Sequence, residues 1–150
     1  MSRITVKFQR FAHANDLALP SYATAGAAGM DIAAAIDRPI CLQPGARIAI
    51  PAGFAMELPA GYEAQIRPRS GLALKHGVII ANAPGTIDND YRGEIAVILL
   101  NISNQDFTIT RGMRIAQMVL AAVTIMNPIE ANDLDKTERA AGGFGSTGTK

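Results

Sequence analysis

The chain has 150 residues, of which 49% are hydrophobic and 18% charged, and its formal net charge is +1. This length predicts one domain with a sizeable core, and the hydrophobic content excludes a disordered chain. The near-neutral charge argues against long nucleic acids as partners, and no apolar run approaches the ~20 residues of a membrane span. A single cysteine, Cys41, has no partner for an intrachain disulfide. That cysteine usage suits a reducing compartment, so we expect a cytoplasmic protein.

Short segments of β-strand character dominate the sequence. One short helix is predicted from about Gly71 to His76, with Ser70 as its N-cap and Gly77 as its stop, and a single helical turn is predicted at 16–18. Strands are predicted, in chain order, at 5–8, 47–50, 54–58, 62–67, 78–80, 94–101, 107–109 and 115–125. Many short strands between glycine and proline turns favour an all-β barrel or sandwich.

The segments 95–100 and 115–125 are apolar on both faces. Two explanations stay open, because such strands are buried either inside one domain or against other subunits.

The C-terminal stretch Arg139-Ala-Ala-Gly-Gly-Phe-Gly-Ser-Thr-Gly-Thr-Lys150 combines a flexible composition with one large aromatic residue. It is either a flexible terminus with an accidental Phe144 or a lid that orders over a nucleotide. In the second interpretation Phe144 stacks on a flat ring, while Arg139, Ser146 and Thr147 bind phosphates. The preceding segment 127–138 is acidic and is predicted to be a connector.

The stretch from Asn82 to Glu94 lies between two predicted strands and is predicted to be the tip of a hairpin. Asp88 and Asp90 are two residues apart and would share one side of an extended segment, where a carboxylate can act as general base on water. The alternative is a turn whose Asp, Asn and Gly residues serve backbone geometry.

Four further residues are candidates for anion, metal or hydrogen-bond contacts. Arg67 and Arg69 precede the helix start, which makes either an anion site or a plain cap with exposed arginines. Asp31 follows Gly29 and is either an Mg²⁺ ligand or a structural residue. Gln117 lies in an apolar strand and needs a hydrogen-bond partner. One cysteine and two histidines exclude a zinc site of the deaminase or finger type.

Five stretches, taken in order, resemble the five motifs of the homotrimeric deoxyuridine triphosphatases (dUTPases). They are Ala25-Gly-Ala-Ala-Gly-Met-Asp31, Pro68-Arg-Ser-Gly-Leu72, Gly85-Thr-Ile-Asp-Asn-Asp-Tyr91, Arg114-Ile-Ala-Gln-Met118, and Arg139-x-x-Gly-Gly-Phe-Gly-Ser-Thr-Gly148. The resemblance extends over nearly the whole chain, from Ala25 to Gly148.

The resemblance implies a jelly-roll-like β fold, a homotrimer, and sites shared between subunits. It implies that dUTP is hydrolysed with Mg²⁺ to dUMP and pyrophosphate, which limits uracil in DNA and supplies dUMP for thymidylate synthesis. We expect a β domain over residues 1–138 and a glycine-rich lid over residues 139–150.

The resemblance also implies roles for individual residues. Asp88 would activate the water that attacks the α-phosphorus, and Tyr91 would pack under the deoxyribose. Asp31 would contact Mg²⁺ through water. The residues expected to read uracil are Asn82, Thr86, Ile87, Asp88 and Ala96. The residues expected to hold the phosphates are Arg69, Ser70, Gly71 and Gln117, and those expected in the lid are Arg139, Phe144, Gly145, Ser146 and Thr147.

One departure and two rival functions accompany the resemblance. Ala140 follows the lid arginine where the family commonly has glycine, and an alanine that must adopt positive φ would cost flexibility. A dCTP deaminase of the same fold is disfavoured by the Tyr91 hairpin and the Gly-Phe-Gly tail. The other rival is a signalling module with a nucleotide-controlled switch; the intact Asp88 argues against an inactive site but not against an added protein partner.

Overall fold

The computed structural model describes residues 3–143. Within that range the chain forms eleven β-strands, one α-helix, α1, and one 3-10 turn. The strands are β1 (Lys7–Arg10), β2 (Met30–Ala33), β3 (Ile40–Leu42), β4 (Arg47–Pro51), β5 (Phe54–Glu57), β6 (Tyr62–Arg67), β7 (Val78–Ile80), β8 (Gly85–Ile87), β9 (Ala96–Asn101), β10 (Phe107–Ile109) and β11 (Arg114–Ala122). Helix α1 spans Ser70–His76, and the 3-10 turn spans Ala12–Ala14. The prediction of an all-β fold with one short helix is confirmed.

The strands form four antiparallel sheets. The largest has the order β2-β11-β6-β8, and a three-stranded sheet has the order β4-β9-β7. Two-stranded sheets join β1 to β5 and β10 to β3. Strands β7 and β9 pair with each other in the three-stranded sheet, whereas β8 pairs with β6 in the four-stranded sheet. The chain therefore leaves the three-stranded sheet after β7 and returns to it with β9.

The core is aliphatic and lies between the sheets. Its largest fully buried hydrophobic side chains are Ile32, Ile50, Ile95, Leu99, Ile109, Ile115, Val78 and Val97. In β9, Val97 and Leu99 are buried whereas Ile98 and Leu100 on the other face are only partly covered. The apolar outer face of β9 is therefore not fully buried within one chain.

One polar residue, Asn101, lies completely inside this core. Its side-chain amide donates to the carbonyls of Leu42 (2.9 Å) and Gln105 (2.7 Å), and its oxygen accepts from the backbone N–H and the hydroxyl of Ser103. A buried amide is stable only when its donors and acceptors are paired, so Asn101 joins the end of β9 to its neighbouring loops.

Helix α1 differs from its prediction at the first residue. It begins at Ser70, and the N-cap is Arg69 with an extended backbone and no side-chain capping bond. The prediction of Ser70 as the cap is therefore wrong. Gly77 ends the helix as predicted, with φ +63°, and a Cβ there would lie 2.8 Å from Ser103 Cβ.

Other elements also differ from their predictions. The helical turn expected at 16–18 is wrong: the 3-10 turn lies at Ala12–Ala14. Strands β2, β3 and β8 did not stand out in the sequence, because each has only three or four residues beside glycine- or proline-containing turns.

The last strand ends three residues earlier than predicted, at Ala122. Its partner β6 begins at Tyr62, which pairs with Ala122, so no strand remains to pair further. Beyond Val123 the described chain has neither helix nor strand. The large hydrophobic residues there that are more than four-fifths exposed are Ile125, Met126, Ile129 and Leu134. No helix among residues 3–143 is long and apolar enough to cross a membrane.

Candidate active site

Four of the residues expected to read uracil lie in β8, directly after it, or at the start of β9, whereas Asn82 precedes β8. Strand β8 is placed by pairing with β6, where Ile87 lies opposite Ala64 and Gly85 opposite Ile66. Asp88 directly follows β8 and is exposed. The sheet register thus places this carboxylate at the edge of the four-stranded sheet.

Asp88 begins a tight turn. The backbone N–H of Tyr91 donates to the Asp88 carbonyl at 3.2 Å, which closes a four-residue turn. Asp88 and Asp90 are therefore not on one side of an extended segment, and that part of the prediction is wrong. The segment does lie between two paired strands, β7 and β9, but it contains β8 and is more than a hairpin tip.

A cavity of about 270 Å³ opens beside this turn. Its lining residues are Ala49, Thr86, Ile87, Asp88, Tyr91, Glu94, Ala96 and Ile98. The cavity brings together five residues that the sequence singled out, namely Thr86, Ile87, Asp88, Tyr91 and Ala96. Asn82 is outside this lining; its exposed side chain lies beside Gly85, where a Cβ would be 3.2 Å from Asn82 Nδ2.

The ring of Tyr91 is fixed by local backbone. Its hydroxyl donates to the Glu94 carbonyl at 3.1 Å, and the residue is 44% exposed. A Cβ on Gly93 would lie 2.3 Å from the Tyr91 hydroxyl oxygen, so a side chain there would displace the ring. Glycine at position 93 therefore leaves room for the Tyr91 hydroxyl to reach the Glu94 carbonyl.

A second group of polar residues gathers around Asp31, and it is called the arginine cluster below (Asp31, Arg69, Arg114 and Gln117). Arg69 Nε donates to Asp31 Oδ1 at 2.9 Å, and Arg114 Nη1 donates to Asp31 Oδ2 at 3.0 Å. Arg69 Nη1 also donates to the Arg114 carbonyl at 3.1 Å. Charge-assisted hydrogen bonds of this kind hold guanidinium groups in fixed orientations.

Strand pairing explains why the arginine cluster forms. Asp31 on β2 lies opposite Gln117 on β11, and Gln117 lies opposite Arg67 on β6. Gln117 Nε2 donates to the Pro68 carbonyl at 2.9 Å, which confirms that Gln117 has the expected hydrogen-bond partner. A Cβ on Gly29 would lie 3.0 Å from Gln117 Oε1, so a small residue suits position 29.

Two predicted phosphate-binding residues lie next to the arginine cluster in sequence. Ser70 and Gly71 form the start of α1, and both are exposed. Arg114, by contrast, has no role assigned from the sequence, because its contact with Asp31 joins residues 83 positions apart. The available signal was its place in the strand that carries Gln117.

The two groups are far apart within one chain. Asp31, Gln117 and Arg67 form one row across the sheet, whereas Ile87 lies opposite Ala64 on the far edge. With ~3.3 Å per residue along a strand and ~4.8 Å between strands, Asp88 lies roughly 19 Å from Asp31 at the far end of that row. One phosphate group cannot contact both Asp31 and Asp88 of a single chain.

Asp31 is compatible with a hydrated magnesium ion. Within the described range, no three His, Cys, Asp or Glu residues gather as a metal-binding group. Mg²⁺ needs only one or two carboxylates when waters and substrate phosphates complete its shell. Each Asp31 oxygen accepts one arginine bond, so lone pairs remain for water.

The described part of the C-terminal stretch reaches Gly143. Arg139 is exposed, and its Nε donates to the Gly142 carbonyl at 2.9 Å. Ala140 has φ +44°, the left-handed conformation that glycine adopts at least cost. The predicted lid residues Phe144, Gly145, Ser146 and Thr147 lie outside the described residues.

The fold and the site define a class of all-β proteins in which arginines gather on one carboxylate and a second carboxylate lies beside a separate cavity. The dUTPase of Staphylococcus bacteriophage 80alpha, solved with dUpNHpp, superposes with a TM-score of 0.84 at 23% identity, covering 96% of this chain and 98% of that one. This likeness confirms the jelly-roll-like fold.

Sequence comparisons specify the family. The dUTPase family model matches residues 15–148. The deoxyuridine 5'-triphosphate nucleotidohydrolase of Caulobacter vibrioides is 56% identical over 147 residues, which cover 97% of this chain and 95% of that protein. The enzyme of the same name from Sinorhizobium medicae is 57% identical over 141 residues, covering 93% and 88%. The chain therefore belongs to the dUTPase family.

Proposed function

We propose that this chain is a dUTP diphosphatase, which hydrolyses dUTP to dUMP and pyrophosphate. Membership of the dUTPase family supports the reaction. The observation that carries the assignment of residues is the cavity that gathers Thr86, Ile87, Asp88, Tyr91 and Ala96. Such an activity limits uracil in DNA and supplies dUMP for thymidylate synthesis, and we place it in the cytoplasm.

The proposed chemistry is attack by water at the α-phosphorus. The Asp88 carboxylate accepts a proton from the water, whose oxygen bonds to the α-phosphorus while the bond to the pyrophosphate oxygen breaks. Asp88 suits this role because it is exposed at a turn beside the cavity. A positioned general base of this kind contributes about 10²–10⁴-fold in rate.

The same cavity accounts for base and sugar specificity. Main-chain donors and acceptors at Thr86–Asp88, with Asn82 and Ala96, pair with the edge of uracil and mismatch cytosine. Mismatched polar groups in a closed site are costly, so discrimination is strong. Tyr91 packs under the deoxyribose and leaves no room for a 2′-hydroxyl.

The arginine cluster binds the phosphates. Arg69, with Ser70 and Gly71, contacts the triphosphate, and Gln117 supports them through the Pro68 carbonyl. Asp31 keeps Arg69 oriented and would hold Mg²⁺ through water. Mg²⁺ held there would supply neutralisation of phosphate charge, which phosphoryl transfer requires together with positioning.

The active assembly is a homotrimer whose sites are shared between subunits. The ~19 Å between Asp88 and Asp31 of the arginine cluster supports this arrangement, because a second copy must supply the missing half. The partly covered face of β9 and the exposed Ile125, Met126, Ile129 and Leu134 also support it, since such apolar surface is usually covered in an assembly.

Residues 139–150 act as a lid on the domain formed by residues 1–138. Phe144 stacks on uracil, and Arg139, Gly145, Ser146 and Thr147 engage the phosphates. Stacking supplies about 1–3 kcal/mol, whereas ordering some ten residues costs on the order of 10 kcal/mol. Phosphate contacts must supply most of the remainder, so the lid closes on dUTP and opens on dUMP.

Pyrophosphate release tests this function. Wild type and Asp88→Asn are assayed with Mg²⁺ on dUTP, dCTP, dTTP and UTP, and ammonia release is followed on dCTP. We expect release from dUTP in large preference, lost in Asp88→Asn. Ammonia from dCTP would instead establish a deaminase, and no product from any nucleotide would contradict the proposal.

A further inference from the structure

Glu94 lies between two cavities and contributes to the lining of both. It lines the cavity beside Asp88, and it also lines a larger groove whose other residues include His13, Ile36 and Asp37. Its carboxylate points to the groove side, where Oε1 accepts the Gly53 N–H at 2.9 Å and lies 3.0 Å from His13 Nε2. Its side chain is 28% exposed.

The Gly53 turn that anchors Glu94 is itself rigidly held. Gly53 has φ +78°, and a Cβ there would lie 2.2 Å from Ala14 Cβ. Its carbonyl accepts the Phe11 N–H at 2.9 Å. Buried Ile95 makes two backbone hydrogen bonds to this turn. Its carbonyl accepts the Ala52 N–H at 2.8 Å, and its N–H donates to the Phe54 carbonyl at 2.9 Å.

Tyr91 is connected to this anchor through Glu94. The Tyr91 hydroxyl donates to the Glu94 carbonyl, and Gly93 lies between the two residues. The Glu94 carbonyl shares one planar peptide group with the Ile95 N–H, which donates to the Phe54 carbonyl. That bond restrains the carbonyl on one side, and the contact of the Glu94 carboxylate with the Gly53 N–H restrains residue 94 on the other.

We propose that Glu94 is a positioning residue that holds Tyr91 in place through its carbonyl, and so sets the discrimination between dUTP and UTP. This inference rests on the proposed function. In the wild type, Gly53 and His13 fix Glu94, Glu94 fixes the Tyr91 hydroxyl, and the ring stays where a 2′-hydroxyl would lie. Loss of the carboxylate lets the ring move and admits the ribonucleotide.

The readout that separates positioning from general structural support is the ratio of kcat/KM for dUTP to that for UTP. A loss of fold or of phosphate binding lowers both rates and leaves the ratio unchanged. A displaced Tyr91 ring lowers the ratio. Steady-state kinetics on both nucleotides and thermal unfolding are measured for each variant.

The variants are Glu94→Ala, Glu94→Gln, Tyr91→Phe and the double variant Glu94→Ala with Tyr91→Phe. Asp37→Ala is the matched control, because Asp37 lines the same groove with a side chain that is 90% exposed. Removing one hydrogen bond of ordinary strength corresponds to about a 3- to 10-fold change, so we expect a fall of that size in the ratio for Glu94→Ala.

Two comparisons sharpen the test. Glu94→Gln keeps an oxygen for the Gly53 N–H, so it should retain most of the discrimination. The double variant should be no worse in the ratio than Tyr91→Phe alone, because both changes break one chain of contacts. Asp37→Ala should match wild type.

An unchanged ratio in Glu94→Ala, or effects of the two single changes that simply add, would overturn the inference. If Glu94→Ala does not fold, Glu94→Asp replaces it, since the shorter side chain fails to reach Gly53 but keeps its charge. Wild type is assayed first, so failure to hydrolyse dUTP contradicts the proposed function separately.

Discussion

The arginine cluster and the Asp88 turn differ in how strongly hydrogen bonds restrain their side chains. In the cluster, both oxygens of Asp31 accept guanidinium bonds, and Gln117 fixes the adjoining loop. At the turn, Asp88 is exposed and its backbone carbonyl accepts the Tyr91 N–H. In the proposed function the cluster binds phosphates and has to be held in advance, whereas Asp88 is a base and has to remain free to take a proton.

The comparison also shows why their supports differ. The cluster is held by strand register in the four-stranded sheet, because Asp31 and Gln117 lie directly opposite each other. The turn begins directly after β8 at the edge of that sheet, and its other end is joined through the Tyr91 hydroxyl to Glu94, whose carboxylate contacts Gly53 and His13 from outside the sheet. Changes in the cluster should therefore affect phosphate binding, and changes at the turn should affect chemistry or sugar choice.

The largest expected effect is that of Asp88→Asn. An amide cannot accept the proton from water, so kcat should fall by about 10²–10⁴-fold. The affinity for a non-hydrolysable dUTP analogue, measured by calorimetry, should change little. A variant that kept its turnover would separate Asp88 from the chemistry.

Asp31→Asn should have the next largest effect. The variant keeps the size of the side chain but loses the charge that holds Arg69 and Arg114. Charge-assisted bonds of this kind are worth about 1.5–3 kcal/mol, so kcat/KM for dUTP should fall by roughly 10- to 100-fold. The dUTP to UTP preference should stay near that of wild type, with Asp37→Asn as the charge-matched control. Loss of the preference for dUTP over UTP in Asp31→Asn would contradict the separate roles of the two regions.

Two glycine substitutions probe the regions with a single added methyl group. Gly93→Ala forces the Tyr91 hydroxyl away, because the new Cβ would lie 2.3 Å from its oxygen. Gly29→Ala presses on Gln117 at 3.0 Å, while Gly26→Ala meets nothing within 4 Å and is the control. Kinetics on dUTP and UTP should show reduced sugar discrimination for Gly93→Ala. Gly29→Ala should show a modest rise in KM for dUTP with an unchanged preference for dUTP over UTP. A loss of that preference in Gly29→Ala, with only a rise in KM in Gly93→Ala, would contradict the separate roles of the two regions.

The smallest effect is on acid stability, away from both regions. Arg111 donates to the Asp16 carboxylate and to the carbonyls of His13 and Ile36. The hydrogen bond from Arg111 lowers the pKa of Asp16 below its ordinary value. A lowered folded-state pKa stabilises the protein above the unfolded pKa, and that contribution is lost as pH falls through the folded value. Denaturant unfolding from pH 6 down to pH 2 should show a weaker pH dependence in Asp16→Asn, whereas an identical dependence would exclude Asp16 as a contributor.

The sequence predicted those parts of the fold that depend on local patterns. Strands β6, β7 and β10 have the predicted bounds, because each shows a strand-type pattern between turn residues. Strand β8 did not stand out, because three residues beside Pro84 and Asp88 resemble a turn. The tertiary pairing of β8 with β6 decides its conformation, and local propensity does not report that pairing.

The site shows the same division. The ordered motifs indicated Thr86, Asp88 and Tyr91, which the structure brings into one cavity. Glu94 was not indicated, because its partner Gly53 lies 41 residues away in the chain. Contacts across that distance depend on sheet register and turn geometry, which a single sequence does not specify.

The sharing of each active site between two chains is the central claim, and subunit mixing tests it most directly. Asp88→Asn and Arg69→Ala chains, each nearly inactive alone, are co-expressed with different affinity tags, and the doubly tagged assemblies are isolated. In a trimer that contains both chains, one of the three shared sites has both native residues, so about one third of wild-type turnover of dUTP should return. Mixed assemblies that remain as inactive as either parent would contradict the account, because both halves of the site would then have to come from one chain.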